Sequence, residues 1–195
     1  MSTSTTWPVL DQAHEALLSA VRGVGSADWT RPTPCSEWNA LQVLQHAAGD
    51  QLGYAAFLGQ GEGPAEDPFA PSGKLDGEPL AVAEAAVRVS RAAWATVAPG
   101  QEDVPVPLPP NKMPAALGVS ACALDAAVHA WDIAVATGQA SPLTPELAAE
   151  LLAAARQFVE PLRAFAFAPV IPAEPGDDVT AELLRYLGRR PDWTA

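Results

Sequence analysis

Pro114-Ala115-Ala116-Leu117-Gly118-Val119-Ser120-Ala121-Cys122-Ala123-Leu124-Asp125-Ala126-Ala127-Val128-His129-Ala130-Trp131-Asp132-Ile133-Ala134-Val135-Ala136-Thr137-Gly138 is the stretch on which the fold turns. It is rich in alanine, poor in β-branched residues and closed by a glycine suited to the position after a helix end, so it reads as one long helix from Pro114 to Thr137. Asp125, His129 and Asp132 interrupt its apolar run, and no uncharged stretch reaches the roughly 20 residues of a membrane span. Asp125 and His129 are four residues apart, which puts a carboxylate and an imidazole on one helix face, within reach of one metal ion. Asp132 follows three residues later on the same face, where an acid could accept a hydrogen bond from a metal-ligating histidine.

The composition narrows the function. Of 195 residues, 49% are hydrophobic, enough to fill a core and to make disorder improbable. Acidic residues outnumber basic ones 23 to 11, for a net charge of -12. That balance argues against nucleic acid and against anionic membrane surfaces, since both need a basic face. Two cysteines are too few for a disulfide scaffold. Met1 to Thr6 reads as a flexible Ser/Thr tail, without the basic and apolar segments of a signal peptide. The expectation is a cytoplasmic protein with reduced thiols, a single domain over 1–195, and a monomer or homodimer.

The other helices are punctuated in the same way. Pro8 opens the first, which Gly23 and Gly25 end. The second runs from near Asn39 to about Leu58, with Asn39 and Gln42 spaced as a capping box. A loop over 59–78, too long for a tight connection, leads to a third helix over about 79–98. Four prolines between Gln101 and Pro110 exclude helix there and predict an extended segment. Thr144 and Pro145 open a fifth helix that Pro161 should kink or end, and a short sixth covers about 180–187. The sum is an all-α antiparallel four-helix bundle with short extended segments and additional C-terminal helices.

With three histidines, imidazole chemistry has few candidates. His46 borders the apolar stripe of the second helix, where it reads either as a half-buried core residue or as a third ligand joining Asp125 and His129. His14 reads as surface or boundary. Cys35 reads as a small buried hydrophobe rather than a reactive thiol, Cys122 as core, and Trp131 as packing. There is no phosphate-cradling glycine loop, no G-x-S-x-G elbow and no H-E-x-x-H.

Three stretches, Thr33-Pro34-Cys35-Ser36-Glu37-Trp38-Asn39 leading to Leu44-Gln45-His46, Ala123 to Gly138, and Leu183 to Pro191, together resemble the actinobacterial metal-binding proteins similar to the N-terminal domain of mycothiol-dependent maleylpyruvate isomerase, within the DinB-like superfamily. The resemblance implies a divalent metal, usually zinc with nickel or iron(II) as alternatives, held by His46, Asp125 and His129. The acid is Asp here, where glutamate is common in the isomerase branch. It further implies activation of a low-molecular-weight thiol of the mycothiol type and its transfer to, or use in isomerising, a small electrophile. The isomerase carries a separate C-terminal domain that these residues do not supply, so maleylpyruvate isomerisation itself is not carried over. Two alternatives stay open on the sequence. One is a non-catalytic metal- or ligand-binding bundle, with Cys122 as the residue to check for a fourth ligand. The other is metal-dependent hydrolysis, for which Asp132 is the nearest acid to test.

Overall fold

The structure is a computed structural model and describes residues 6–194, so positions 1–5 of the expected tail and residue 195 lie outside the described residues. Four long helices form the bundle: α1 (Pro8–Arg22), α2 (Ala40–Phe57), α3 (Pro79–Trp94) and α4 (Ala115–Ala136). Pro8 and Pro79 open α1 and α3 as expected, and Arg22 and Arg91 lie in their last turns, where a cation faces the helix dipole favourably. The capping box of α2 is complete: the Asn39 side chain accepts from the Gln42 backbone N–H, and the Asn39 backbone N–H donates to the Gln42 side chain.

The helix directions follow from long-range contacts. Trp7 at the start of α1 donates from Nε1 to the carbonyl of Trp94 at the end of α3, 2.9 Å away, so these two run antiparallel. Gln51 of α2 reaches the Cys122 carbonyl while His46 reaches Asp125, so α2 and α4 are antiparallel as well. Gln139, just past α4, donates to Ala20 near the end of α1, and these two run the same way. The order is therefore up, down, down, up, with α2 and α3 parallel. That explains the length of the crossover over 59–78. A parallel connection must travel back along an 18-residue helix, about 27 Å.

The crossover is packed rather than loose. Gly49 of α2 lets Pro68 approach so closely that an added Cβ would lie 3.1 Å from its ring. Gln42 donates to the Pro71 carbonyl, and Gln45 donates to the Lys74 carbonyl and accepts from the Gly73 N–H.

The proline-rich segment after α3 is extended as expected and forms a minimal antiparallel ladder, β1 (Val104–Pro105) with β2 (Lys112–Met113). Beyond the bundle lie α5 (Pro145–Phe158), a 3-10 turn over Glu160–Ala164 where Pro161 was expected to end the helix, and α6 (Val179–Tyr186). Arg163 ties this region together, donating to Glu160, to the Ala168 carbonyl and to the Tyr186 carbonyl. Gly188, at φ +79, lets the Ala168–Pro169 segment approach where an added Cβ would collide with the Ala168 methyl at 2.6 Å and the Pro169 carbonyl oxygen at 2.9 Å. Among the described residues, α4 is long and apolar enough by length and composition to cross a membrane, and 89% of its apolar window is buried inside the bundle as the core helix.

The expectation for His14 is corrected by the fold. It is fully buried, and its Nε2 lies 2.8 Å from Gln51 Oε1, which also accepts from Ser90 and Cys122. Alanine at position 13 shares the core with it, so the apolar stripe of α1 is wider than the periodicity suggests. Burial lowers the His14 pKa to about 4, against the opposing hydrogen bond that His14 donates to Gln51. The group is neutral in the folded chain and charges in the unfolded one, so stability is full above about pH 6.5 and declines as pH falls toward 4. The expected loss is of order 3 kcal/mol over that window. The difference in urea midpoint between the wild type and a His14→Gln variant, measured between pH 7 and pH 4.5, should show it, because Asp50 titrates with the opposite sign in the same window.

Candidate metal centre

The spacing in α4 and the crossing of α2 bring three side chains to one point. His46 Nε2 lies 3.3 Å from Asp125 Oδ1, and His129 Nε2 lies 3.4 Å from the same oxygen. The two imidazoles meet edge to face with centroids 4.7 Å apart. One donor atom from each of the three residues lies within 4.8 Å of the others. These residues could hold a metal ion, and two further features fit them to one.

The first is tautomer control. His46 Nδ1 lies 2.8 Å from the Pro68 carbonyl, which can only accept, so the ring proton sits on Nδ1 and the Nε2 lone pair faces Asp125. His129 Nδ1 lies 2.9 Å from Asp132 Oδ2 and is held the same way. Both rings thus turn an Nε2 toward the same space, each backed by an acceptor, which is how metal-ligating histidines are oriented. The second is Asp125 Oδ2, a buried carboxylate oxygen with no hydrogen-bond partner. Such an atom is costly unless something electropositive faces it.

The electrostatics agree. Burial alone would raise Asp125, but His129 and His46 outweigh it and hold its carboxyl well below the usual range. Burial likewise opposes charge on His129, yet Asp125 and Asp132 hold it well above the ordinary imidazole value. Asp132 is fully buried and kept ionised by Arg189, whose Nε and Nη2 donate to its two oxygens at 2.9 and 2.8 Å. Asp125 and Asp132 thus favour a positively charged group at this point.

Several neighbours went unread in the sequence. Asp50 stands one turn beyond His46 with Oδ2 3.8 Å from its Nε2, and burial followed by the Asp125 charge pushes it up to about 7. Its signal was available: His46 and Asp50 repeat on α2 the four-residue spacing of Asp125 and His129 on α4. Arg189 had no local signal, because its role depends on α6 returning to α4. Cys35 is corrected too. It is only half-buried and points its thiol at polar groups, 3.3 Å from Asp132 Oδ2 and 3.3 Å from Arg189 Nη2. With His129 and Asp132 it forms a second cluster of donor atoms, in which Arg189 already supplies the positive charge. Cys122 is core, as expected. It donates to Gln51 Oε1 at 3.1 Å, burial pushes its thiol up to about 12, and it lies outside both donor clusters found among the described residues.

The three central residues open onto a cavity of about 570 Å³, within the size range of small-molecule sites. Trp38 and Phe69 flank His46, with ring centroids 4.7 and 5.4 Å away.

A helical bundle that turns two imidazoles and a carboxylate from facing helices toward one cavity defines the class: a four-helix bundle with a candidate metal centre in its interior. The chain belongs to the mycothiol maleylpyruvate isomerase N-terminal domain family, which matches residues 10–134 and so includes all three central residues. It is also similar to two Mycobacterium tuberculosis proteins from different strains, each 35% identical over 187 residues, covering 91% of this chain and 94% of the relative. Both relatives are described only as uncharacterized. No solved structure matches the chain.

Proposed function

We propose that this protein binds one divalent metal, zinc first and nickel or iron(II) as alternatives, through His46, Asp125 and His129, and uses it to activate a mycothiol-like low-molecular-weight thiol for attack on a small electrophile. The observation that carries the reading is the pair of oriented Nε2 atoms and the orphaned Asp125 oxygen at the floor of a ligand-sized cavity. Membership of a family named for a mycothiol enzyme supports the thiol.

When bound, the ion would stabilise a thiolate at neutral pH. The chain does the rest. Pro68 and Asp132 hold the ring protons on the far nitrogens, keeping both Nε2 atoms free. Arg189 keeps Asp132 ionised so that it can do so. Asp50 lines the same cavity with its Oδ2 3.8 Å from His46 Nε2 and is placed to take the thiol proton. Trp38 and Phe69 supply apolar wall beside His46. Three protein donors leave an open position, which favours catalysis over a closed structural site. The engagement of Cys122 with Gln51 supports the open site as well. Metal-dependent hydrolysis would use the same floor with water in place of thiol. A cytoplasmic setting, with Cys35 and Cys122 both free, accords with thiol chemistry.

Consumption of a small thiol against a panel of electrophiles should be measured with metal-loaded protein. Turnover that disappears in both His46→Ala and Asp125→Ala is expected. Turnover unchanged in those variants sinks the enzymatic reading, and ester hydrolysis without thiol consumption replaces it with the hydrolytic one.

A further inference from the structure

Tyr54 brings to the cavity a polar group that the fold itself does not use. It lies four residues beyond Asp50 and eight beyond His46 on α2. His46, Asp50 and Tyr54 therefore share one face of that helix, and all of them line the cavity. Side chains on a helix lean toward its N-terminus, which carries the Tyr54 ring back toward Asp50 and the metal centre. Trp94 backs the ring, with centroids 6.2 Å apart. Tyr54 is 2% exposed, whereas Phe69 and Phe165 elsewhere in the lining are 51% and 60% exposed. Tyr54 thus stands at the closed end of the cavity and the two phenylalanines at its opening.

The hydroxyl is left over. Gln51 Oε1 accepts from His14, Ser90 and Cys122, and Gln51 Nε2 donates to the Cys122 carbonyl, so the polar network under α2 closes without Tyr54. Among the described residues, Tyr54 Oη has no hydrogen-bond partner. Nor is it sealed: the buried side-chain atoms shut off without a partner belong to His14, Trp94, Asp125 and Arg185. Tyr54 Oη therefore faces open space, and the open space that Tyr54 borders is the cavity. Burial, with Cys122, Asp50 and Asp125 adding to it, keeps the phenol proton on well above the ordinary range, so the group is held as a donor. Buried tyrosines normally bond their hydroxyl, and phenylalanine would fill the same space against Trp94 without a polar atom to satisfy.

The geometry points to a ligand subsite at Tyr54: a molecule bound beside the metal centre places a carbonyl-type oxygen on the Tyr54 hydroxyl, which fixes its orientation. This deepens the proposed function and rests on it only for naming that molecule the electrophile. The unfilled donor belongs to the cavity, whatever binds at His46, Asp125 and His129. An electrophile that carries a ketone, ester or amide oxygen satisfies the hydroxyl, whereas an alkyl halide or a plain alkene leaves it desolvated without an acceptor.

The test uses metal-free full-length protein and two fluorescent probes of one scaffold. The first, 6-propionyl-2-dimethylaminonaphthalene, carries a ketone; the second, 6-propyl-2-dimethylaminonaphthalene, has a methylene in its place. Tyr54→Phe should weaken the ketone by about three- to tenfold and leave the propyl probe within about twofold. The emission of the bound ketone should shift to the blue in the variant, because a hydrogen bond to its oxygen is lost. Thermal stability should not fall, since the folded chain loses no hydrogen bond of its own. Ketone affinity and emission unchanged in Tyr54→Phe, which means a hydroxyl solvated by water only, overturns the inference. So do equal weakening of both probes, no binding of the ketone, or a Tm lowered by more than about 5 °C, which marks the hydroxyl as structural. Elemental analysis separates the two readings. A protein that takes up no metal but keeps the Tyr54-dependent ketone signal refutes the proposed function alone. One that takes up metal but lacks that signal refutes this inference alone.

Discussion

His129→Ala and His46→Ala are each expected to lower the affinity for zinc by at least about 100-fold, beyond the range seen when only an orienting partner is lost. Each removes one of two oriented Nε2 atoms and leaves Asp125 with a single imidazole. Competition with a chromophoric chelator, with elemental analysis of the purified variants, measures this. His14→Gln is the matched control, since His14 sits in the Gln51 network away from the three residues, and it should retain the metal. Binding should also release protons. Without metal, Asp125 and Asp132 hold His129 protonated above its ordinary range, so the ion must displace that proton. Affinity therefore rises with pH through neutrality. A pH-independent affinity, or full metal content in both histidine variants, contradicts the assignment.

Arg189→Met is expected to destabilise the fold by about 3–5 kcal/mol. The variant keeps most of the side-chain volume but leaves Asp132, fully buried, with only the His129 imidazole against its charge. A loss of that size is a large share of a typical domain's stability and should lower Tm by on the order of 10 °C. Asp132→Asn together with Arg189→Met should recover part of it, because no charge is then stranded. The difference between the double variant and the sum of the singles is the coupling energy of the pair. The sign with pH is fixed by the lowered Asp132 carboxyl. Its contribution is fully present above the ordinary value of 3.8 and is lost only as pH falls through the depressed folded value. The Asp132 carboxyl itself therefore adds no slope between pH 5 and 8, a window in which His14, Asp50 and His129 titrate.

The helices were legible because their signals are local. Asn39 and Gln42, Thr144 and Pro145, and the glycine after Thr137 act over three or four residues, and the helix ends fall within a few residues of where they point. α3 ends at Trp94, earlier than the expected Ala98, as the chain turns toward the β1–β2 ladder. Asp125, His129 and Asp132 were legible for the same reason, since 3.6 residues per turn places them on one face whatever the helix packs against. Asp50 could have been found by the same reasoning. His14 could not. It stands beside the apolar stripe of α1, and only the presence of α2 and α3 on that side, supplying Gln51 and Ser90, makes it interior.

Sequence alone established the helices, the acid and histidine sharing one face of α4, and the family to which the chain belongs. Tertiary structure decided the direction of α2 against α4, which brings His46 to Asp125. It also decided the path of the crossover that delivers the Pro68 carbonyl, and the return of the C-terminal segment that sets Arg189 on Asp132 and Cys35. The physical reason is the range of the interactions. Capping and periodicity act along the chain within a turn or two, whereas pairing a buried charge and fixing a ring proton depend on groups that only packing brings together.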